Sequence, residues 1–496
     1  MTTTSLSLDR GGINPRRVFL YLFLLAAIAL FLLTTGNTRY LIGFGVVLVA
    51  PVIVLLLPAQ PLIGLVLMFI ATGFDSAGRV GAAHEAFSFT YFHVAMAITF
   101  LATLMHKLLT NQTRLPSITL WPPALSFVIM MAFSLLYTAR FMVGFMEVVR
   151  MIVLLLLAYA MVISIDTERQ VKFAVWSYIL IPALVSGYTI YEMLTEGSFF
   201  ATSVVRMARE LGMPVFRSTG TFGNPNSLAC FLMVGIAIGF GLFMIRNLHW
   251  PLKLLLLTLI FASTVGLIAS FSRGGWLSTM ATVFLIVLFH RRWKYFYIFP
   301  CILAIVLIVM SIKFPHIVVS AFGRFSTILQ PLSEDSSSSR IALIKTAIWM
   351  WQDHPLFGVG AASHAYYAPQ YTDPSMPQIL LHVVEPHTIQ AKILAEEGLV
   401  GFVIATWFFF TVIFDGFKSL KTMASDYLRH IQIAFIALFI GFIVNFTFGA
   451  DMFNNTFWIS IGVMYAIPIA DANEQARKRA RLAAGGADAA LPVPAG

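Results

Sequence analysis

The sequence predicts an all-α polytopic membrane protein, with about 12–14 transmembrane helices and one large helical loop on the outer side. Three observations predict it. Of the 496 residues 59% are hydrophobic and only 11% charged, with a mean hydropathy of +0.86, whereas soluble domains carry about a quarter charged residues. Apolar runs of roughly 17 to 22 residues, enough to cross a bilayer as helix, recur from end to end. Lys and Arg fall in alternate connections, as cytoplasmic loops require.

Taken in order, residues 1–17 form a basic tail. Arg16 and Arg17 precede an apolar run that reaches Thr35 without a small-residue cleavage site, which reads as a first span and not as a signal peptide. Spans follow near 18–35, 40–57, 60–74, 89–105, 119–138, 148–165, 171–194, 227–245, 252–271, 275–290 and 294–314, about eleven in a bundle over 18–314. The run at 60–74 is short enough to be re-entrant. An outer loop covers 315–396, and C-terminal spans near 397–415, 430–447 and 453–470 close the bundle over 397–470. The tail 471–496 has low complexity and reads as disordered.

More than half of the 32 basic residues lie on one set of alternate connections, beginning with Arg10 and ending with Arg481. Both termini are therefore expected in the cytoplasm. The net charge of +10 is a topology signal and gives no reason to expect nucleic acid. Cys230 and Cys301 each sit in an apolar run and read as buried packing residues. No Cys or His pair has metal-ligand spacing, so neither a metal nor another cofactor is expected.

Polar chemistry gathers on the outer side. "SEDSSSSRIALIKTAIWMWQDHPLFGVG" reads as a helix capped by Ser338 or Ser339, with a stripe of Ile341, Ile344, Ile348 and Trp351. Arg340 then falls in the first turn, where a cation opposes the helix dipole and an anion shared with the free amides would explain it; a solvated surface arginine explains it equally. Arg273 lies in "ASFSRGGWLS", a short outer turn whose two glycines would let backbone approach a ligand; the alternative is snorkelling to headgroups. "FRSTGTFGNPNSLA" has turn chemistry, with Asn226 or Ser227 as a helix cap, and Arg217, Asn224 and Asn226 are lesser candidates for substrate contact. Asp75 and Glu85 are weaker ones.

"PHTIQAKILAEEGLVGF" opens the last third of the bundle. Pro386 suits a first helical turn, which puts His387 at a positive helix end, kept neutral and competent as a base. Gly398 and Gly401 would permit close helix packing. A histidine at a span's mouth is more often an interfacial hydrogen-bonder. Its company changes the reading, because Arg273, Arg340 and His387 map to the same side. Two fixed cations suit an anionic leaving group, and a neutral base suits an attacking hydroxyl.

These residues resemble the O-antigen ligase and polymerase superfamily. "HTIQAKILAEEGLVG" is similar to its signature of histidine, small polar residue, nine residues and Gly-x-x-Gly, with Thr388 where Asn, Ser or Gln is usual. "RIALIKTAIWMWQDHPLFGVG" and "SRGGW" resemble its two arginine-bearing outer segments. The resemblance covers roughly 216–402. It implies a metal-independent, inverting glycosyltransferase of the GT-C type in the bacterial inner membrane, with its active site on the periplasmic face. The donor would be a glycan on undecaprenyl diphosphate and the acceptor a glycan, a lipid A-core or a protein. By position, His387 would be the general base, and Arg273 and Arg340 would bind the diphosphate. Ligase and polymerase stay open, since both share the donor chemistry. The alternatives are a secondary transporter of an anionic solute and a structural envelope subunit; the latter leaves the Arg–Arg–His set unexplained.

Overall fold

The computed structural model describes residues 61–74, 91–109, 116–195, 206–210, 213–313, 315–326, 335–371, 386, 388–449 and 452–488. They form α1 (Pro61–Thr72), α2 (Tyr91–Leu109), α3 (Trp121–Ser134), α4 (Phe141–Ser164) and α5 (Glu168–Thr195). A two-stranded antiparallel hairpin, β1 (Arg206–Glu210) and β2 (Met213–Arg217), pairs Arg206 with Arg217. Then come α6 (Pro225–Phe243), α7 (Trp250–Ala269), α8 (Arg273–Phe289), α9 (Ile298–Lys313), α10 (Pro315–Ser326), α11 (Asp335–Asp353) and the single turn α12 (His364–Tyr367). Three long helices end the chain: α13 (Ile389–Ser419), α14 (Asp426–Phe446) and α15 (Asn455–Asp488). Apart from the hairpin the described chain is helical, an all-α polytopic membrane protein.

Among the described residues seven helices are long and apolar enough to cross a membrane: α4, α5, α6, α7, Trp293–Ile312, α13 and α14. Twelve of the expected spans fall on described helices; the two expected at 18–35 and 40–57, with Asp75 and Glu85, lie outside the described residues. α6 is the hub. Nearly every side chain on it is buried, and it packs against α5, α7, α8 and α14, as expected of a helix apolar all round. α8 and α14 approach closely because Gly441 lies against Thr282, and Asn445 donates to Ser278 Oγ at 2.9 Å.

Four expectations are corrected here. Cys301 is exposed on the apolar surface, and only Cys230 is buried. The tail 471–488 is helical, a continuation of α15; its Ala, Arg, Lys and Gln are strong helix formers, which low complexity disguised. Asp471 further anchors it, accepting from the backbone N–H groups of Ala424 and Ser425 at 2.9 and 2.8 Å. On α11 the buried face is Leu343, Thr346, Ala347 and Met350, whereas Ile348 points outward, because the face that α13 covers, through Ala391 and Ala395, is the one that carries Ala347 and Met350.

The fourth concerns Gly398. It does not pack helices; it breaks one. With φ +66° and ψ −164° it divides α13 into 389–397 and 399–419. The second part has 21 residues, about 31 Å of helix, long enough to span a bilayer alone. The freed backbone groups are paired by 355–360: Val359 N–H donates to Ala395 O (2.8 Å) and Gly360 N–H to Glu396 O (2.9 Å). In return Leu399 N–H donates to Pro355 O (2.9 Å) and Val400 N–H to Leu356 O (3.1 Å). Gly358, at φ +71°, faces the break so closely that a Cβ would lie 2.4 Å from Glu396 C. The same segment is fixed on its other side by Thr138, whose Oγ1 donates to Ala361 O at 2.7 Å.

Candidate functional site

Arg273 is the first residue of α8, half-buried, and Ser272 is the N-cap, its side chain accepting from Gly275 N–H at 3.3 Å. The glycines beside it serve protein packing and not ligand approach. A Cβ on Gly274 would sit 2.6 Å from Phe448 Cβ, and one on Gly275 2.5 Å from Ala229 Cβ.

The turn before Arg273 is held by two of the three lesser candidates, Arg217 and Asn226. Arg217 donates through Nε to Ser270 O (3.2 Å) and through Nη2 to Phe271 O (3.4 Å). Asn226 Oδ1 accepts from Ser272 Oγ at 2.8 Å. Asn224, and neither Asn226 nor Ser227, is the cap of α6, its Oδ1 accepting from Asn226 N–H at 2.9 Å. Behind them the fully buried Glu192 accepts through Oε2 from Thr219 N–H (3.2 Å) and Gly220 N–H (2.7 Å). The bonds of Arg217 and Asn226 shape the turn that presents Arg273.

Arg340 reaches the same place from the outer loop. α11 begins at Asp335, so Arg340 lies in its second turn and the first-turn amides are not beside it. Its Nη1 donates instead to Phe448 O at 3.1 Å. A Cβ on Gly274 would be 3.6 Å from that same oxygen. The guanidinium of Arg340 and the first turn of α8 therefore meet at Phe448, in the connection between α14 and α15.

His387 lies outside the described residues; its neighbours are described. α13 starts at Ile389 with Thr388 as N-cap, its Oγ1 accepting from Ala391 N–H at 3.3 Å, so Pro386 precedes the helix instead of opening it. The first part of α13 packs on α11 through Ala391 and Ala395 against Ala347 and Met350. The helix that follows His387 thus rests directly on the helix that carries Arg340.

Sequence reasoning missed a buried charged group on this side. Lys392 Nζ lies 3.0 Å from Glu147 Oε1 and 3.8 Å from Glu396 Oε2. Glu396 Oε1 accepts from the backbone N–H of the fully buried His364 at 3.0 Å. The Tyr137 hydroxyl donates to Phe357 O at 2.8 Å. The available signal was charge inside otherwise apolar runs, at "FMEVVR" and "QAKILAEEG".

An apolar groove of about 170 Å³ opens beside the first turns of α8. It is lined by Leu267, Ile268, Trp276, Phe299, Leu303 and Phe322, among others.

Residues 257–406 match the O-antigen ligase family, the family that the three motifs resemble. The matched stretch contains Arg273, Arg340 and His387 and excludes Arg217, Asn224 and Asn226. No curated protein matches the chain. A solved chain reported under "Structural coordination of polymerization and crosslinking by a peptidoglycan synthase complex" is 14% identical, with a TM-score of 0.41, covering 71% of this chain and 97% of that one. At that distance it speaks to neither substrate nor chemistry.

Proposed function

We propose that this chain, which carries the O-antigen ligase match over 257–406, is a membrane glycosyltransferase that moves a glycan from undecaprenyl diphosphate to an acceptor hydroxyl on the periplasmic face of the inner membrane. The observation that carries the reading is the meeting of Arg340 with the first turn of α8 at Phe448. A neutral carbonyl is a weaker partner for guanidinium than a phosphate oxygen. A diphosphate that displaces it gains charge-assisted bonds just where negative charge grows as the glycosidic C–O bond breaks. The adjoining apolar groove suits the polyprenyl chain of such a donor.

In this mechanism His387 accepts the proton of the acceptor hydroxyl. The hydroxyl oxygen attacks the anomeric carbon from the face opposite the diphosphate, so the configuration inverts. The pair of electrons from the broken bond leaves on undecaprenyl diphosphate, held by Arg273 and Arg340. No step requires a metal.

The break in α13 favours a second reading, since transporters of anionic solutes bind ions at discontinuous helices. Two features weigh against it. The part after the break is long enough to span a bilayer alone, which fits a break near the membrane edge, and the freed backbone is already paired with 355–360. The deciding experiment expresses wild type, His387→Ala, Arg273→Ala and Arg340→Ala at matched levels in a deletion strain. Surface polysaccharide is expected to be lost in all three. Single lipid-linked repeats accumulating would identify a polymerase, and long lipid-linked polymer a ligase. Full activity in all three would sink the enzyme reading.

A further inference from the structure

Asn226 joins two helices. Its backbone N–H donates to the cap of α6, Asn224 Oδ1, at 2.9 Å, while its side chain crosses to α8, where Oδ1 accepts from Ser272 Oγ at 2.8 Å. Ser272 Oγ itself accepts from Gly275 N–H, so the proton of its hydroxyl is the one given to Asn226. That bond sets the orientation of the amide. Oδ1 turns to Ser272, and Nδ2 turns away from it with its pair of N–H donors. Among the described residues Nδ2 has no hydrogen-bond partner, and Asn226 is only half-buried.

Holding the turn does not explain why this residue is an asparagine. It is the second residue of α6, where a carboxylate would favour the positive end of the helix. An aspartate there could accept from Ser272 equally well. What asparagine adds is a pair of uncharged donors beside Arg273, the residue that follows Ser272. Such donors next to a guanidinium suit an anionic oxygen, which an aspartate would repel.

We propose that Asn226 is a further contact of the donor diphosphate: Nδ2 donates to an oxygen of the group that Arg273 holds, while the bond from Ser272 to Oδ1 keeps the amide from turning its acceptor toward the anion. This rests on the glycosyltransferase reading above. The contact is present in the bound donor as well as in the transition state, so its loss falls on the donor KM more than on kcat.

The test compares Asn226→Asp and Asn226→Ala with wild type in purified full-length protein. The substrate is lipid-linked glycan extracted from the deletion strain, and rates are expressed per monodisperse protein. Asn226→Asp keeps the shape, the acceptor for Ser272 and a charge that suits the helix end, so it is expected to fold. A purely structural role predicts full activity from this variant. A diphosphate contact predicts a donor KM raised about tenfold or more, with a smaller change in kcat. Asn226→Ala removes the donors without adding a charge. It should raise the donor KM several-fold, and it supplies the answer if the aspartate variant does not fold. A donor KM within about twofold of wild type in either folded variant, whether or not kcat falls, overturns the proposal. Arg340→Ala and Arg273→Ala assayed in parallel keep the two readings apart: turnover surviving there sinks the transferase site itself, whatever Asn226 does.

Discussion

Single residues around the site act mostly through caps and anchors. Asn224, Ser272 and Thr388 each cap the helix that follows, and a small side chain that accepts one orphan N–H explains why such residue types stand there. The departure noted at Thr388 is thus mild in physical terms, since threonine caps nearly as well as serine or asparagine. Thr388→Ala should cost about 1 kcal/mol of stability and Thr388→Ser much less. Faster amide exchange at Ala391 in the alanine variant would be the direct readout; unchanged exchange would mean that the cap is idle. The sequence announced a cap before α6 but at Asn226 or Ser227 where Asn224 stands, opened α13 at Pro386 instead of after Thr388, and pointed to no cap at Ser272. Their long-range partners were not readable, because Arg217 with Ser270, or Glu192 with Gly220, are pairs that no local spacing encodes.

At the scale of elements, the apolar runs announced the helices well. They could not announce the break in α13, because hydrophobic periodicity continues on both sides of Gly398. "FGVG" and "EEGLVG" read separately as a stop signal and a packing motif. Together they form a single backbone clasp between the end of α11 and the middle of α13. Each glycine is required by its partner's proximity as well as by its own positive φ. A Cβ on Gly398 would lie 2.4 Å from Leu356 C, and the reciprocal contact at Gly358 is equally short. Gly358→Ala and Gly398→Ala should each cost more than about 3 kcal/mol and abolish a monodisperse peak in detergent. Gly187→Ala, in α5 with open space around it, should fold as wild type. Equal behaviour of the three variants would show that the clasp does not hold the outer loop.

For the whole molecule, the spacing of spans and the alternation of Lys and Arg led to a bundle with one large outer loop, and the described helices agree with the span positions. Sidedness is the part that rests on charge alone, and it governs the proposed mechanism, in which a lipid-linked glycan meets Arg273 and Arg340 on the face where it is presented. The exposed Tyr366 of the outer loop and the exposed Leu482 on α15 should lie on opposite sides of the membrane. In a Cys301→Ser background, which removes the exposed native thiol, Tyr366→Cys should react with a membrane-impermeant maleimide in spheroplasts. Leu482→Cys should react only after the membrane is opened. Cys230 stays silent in both cases, since it is buried in α6. The reverse pattern would put Arg273 and Arg340 on the cytoplasmic face, where a periplasmic acceptor could not reach them, and the transferase proposal would fall with the topology.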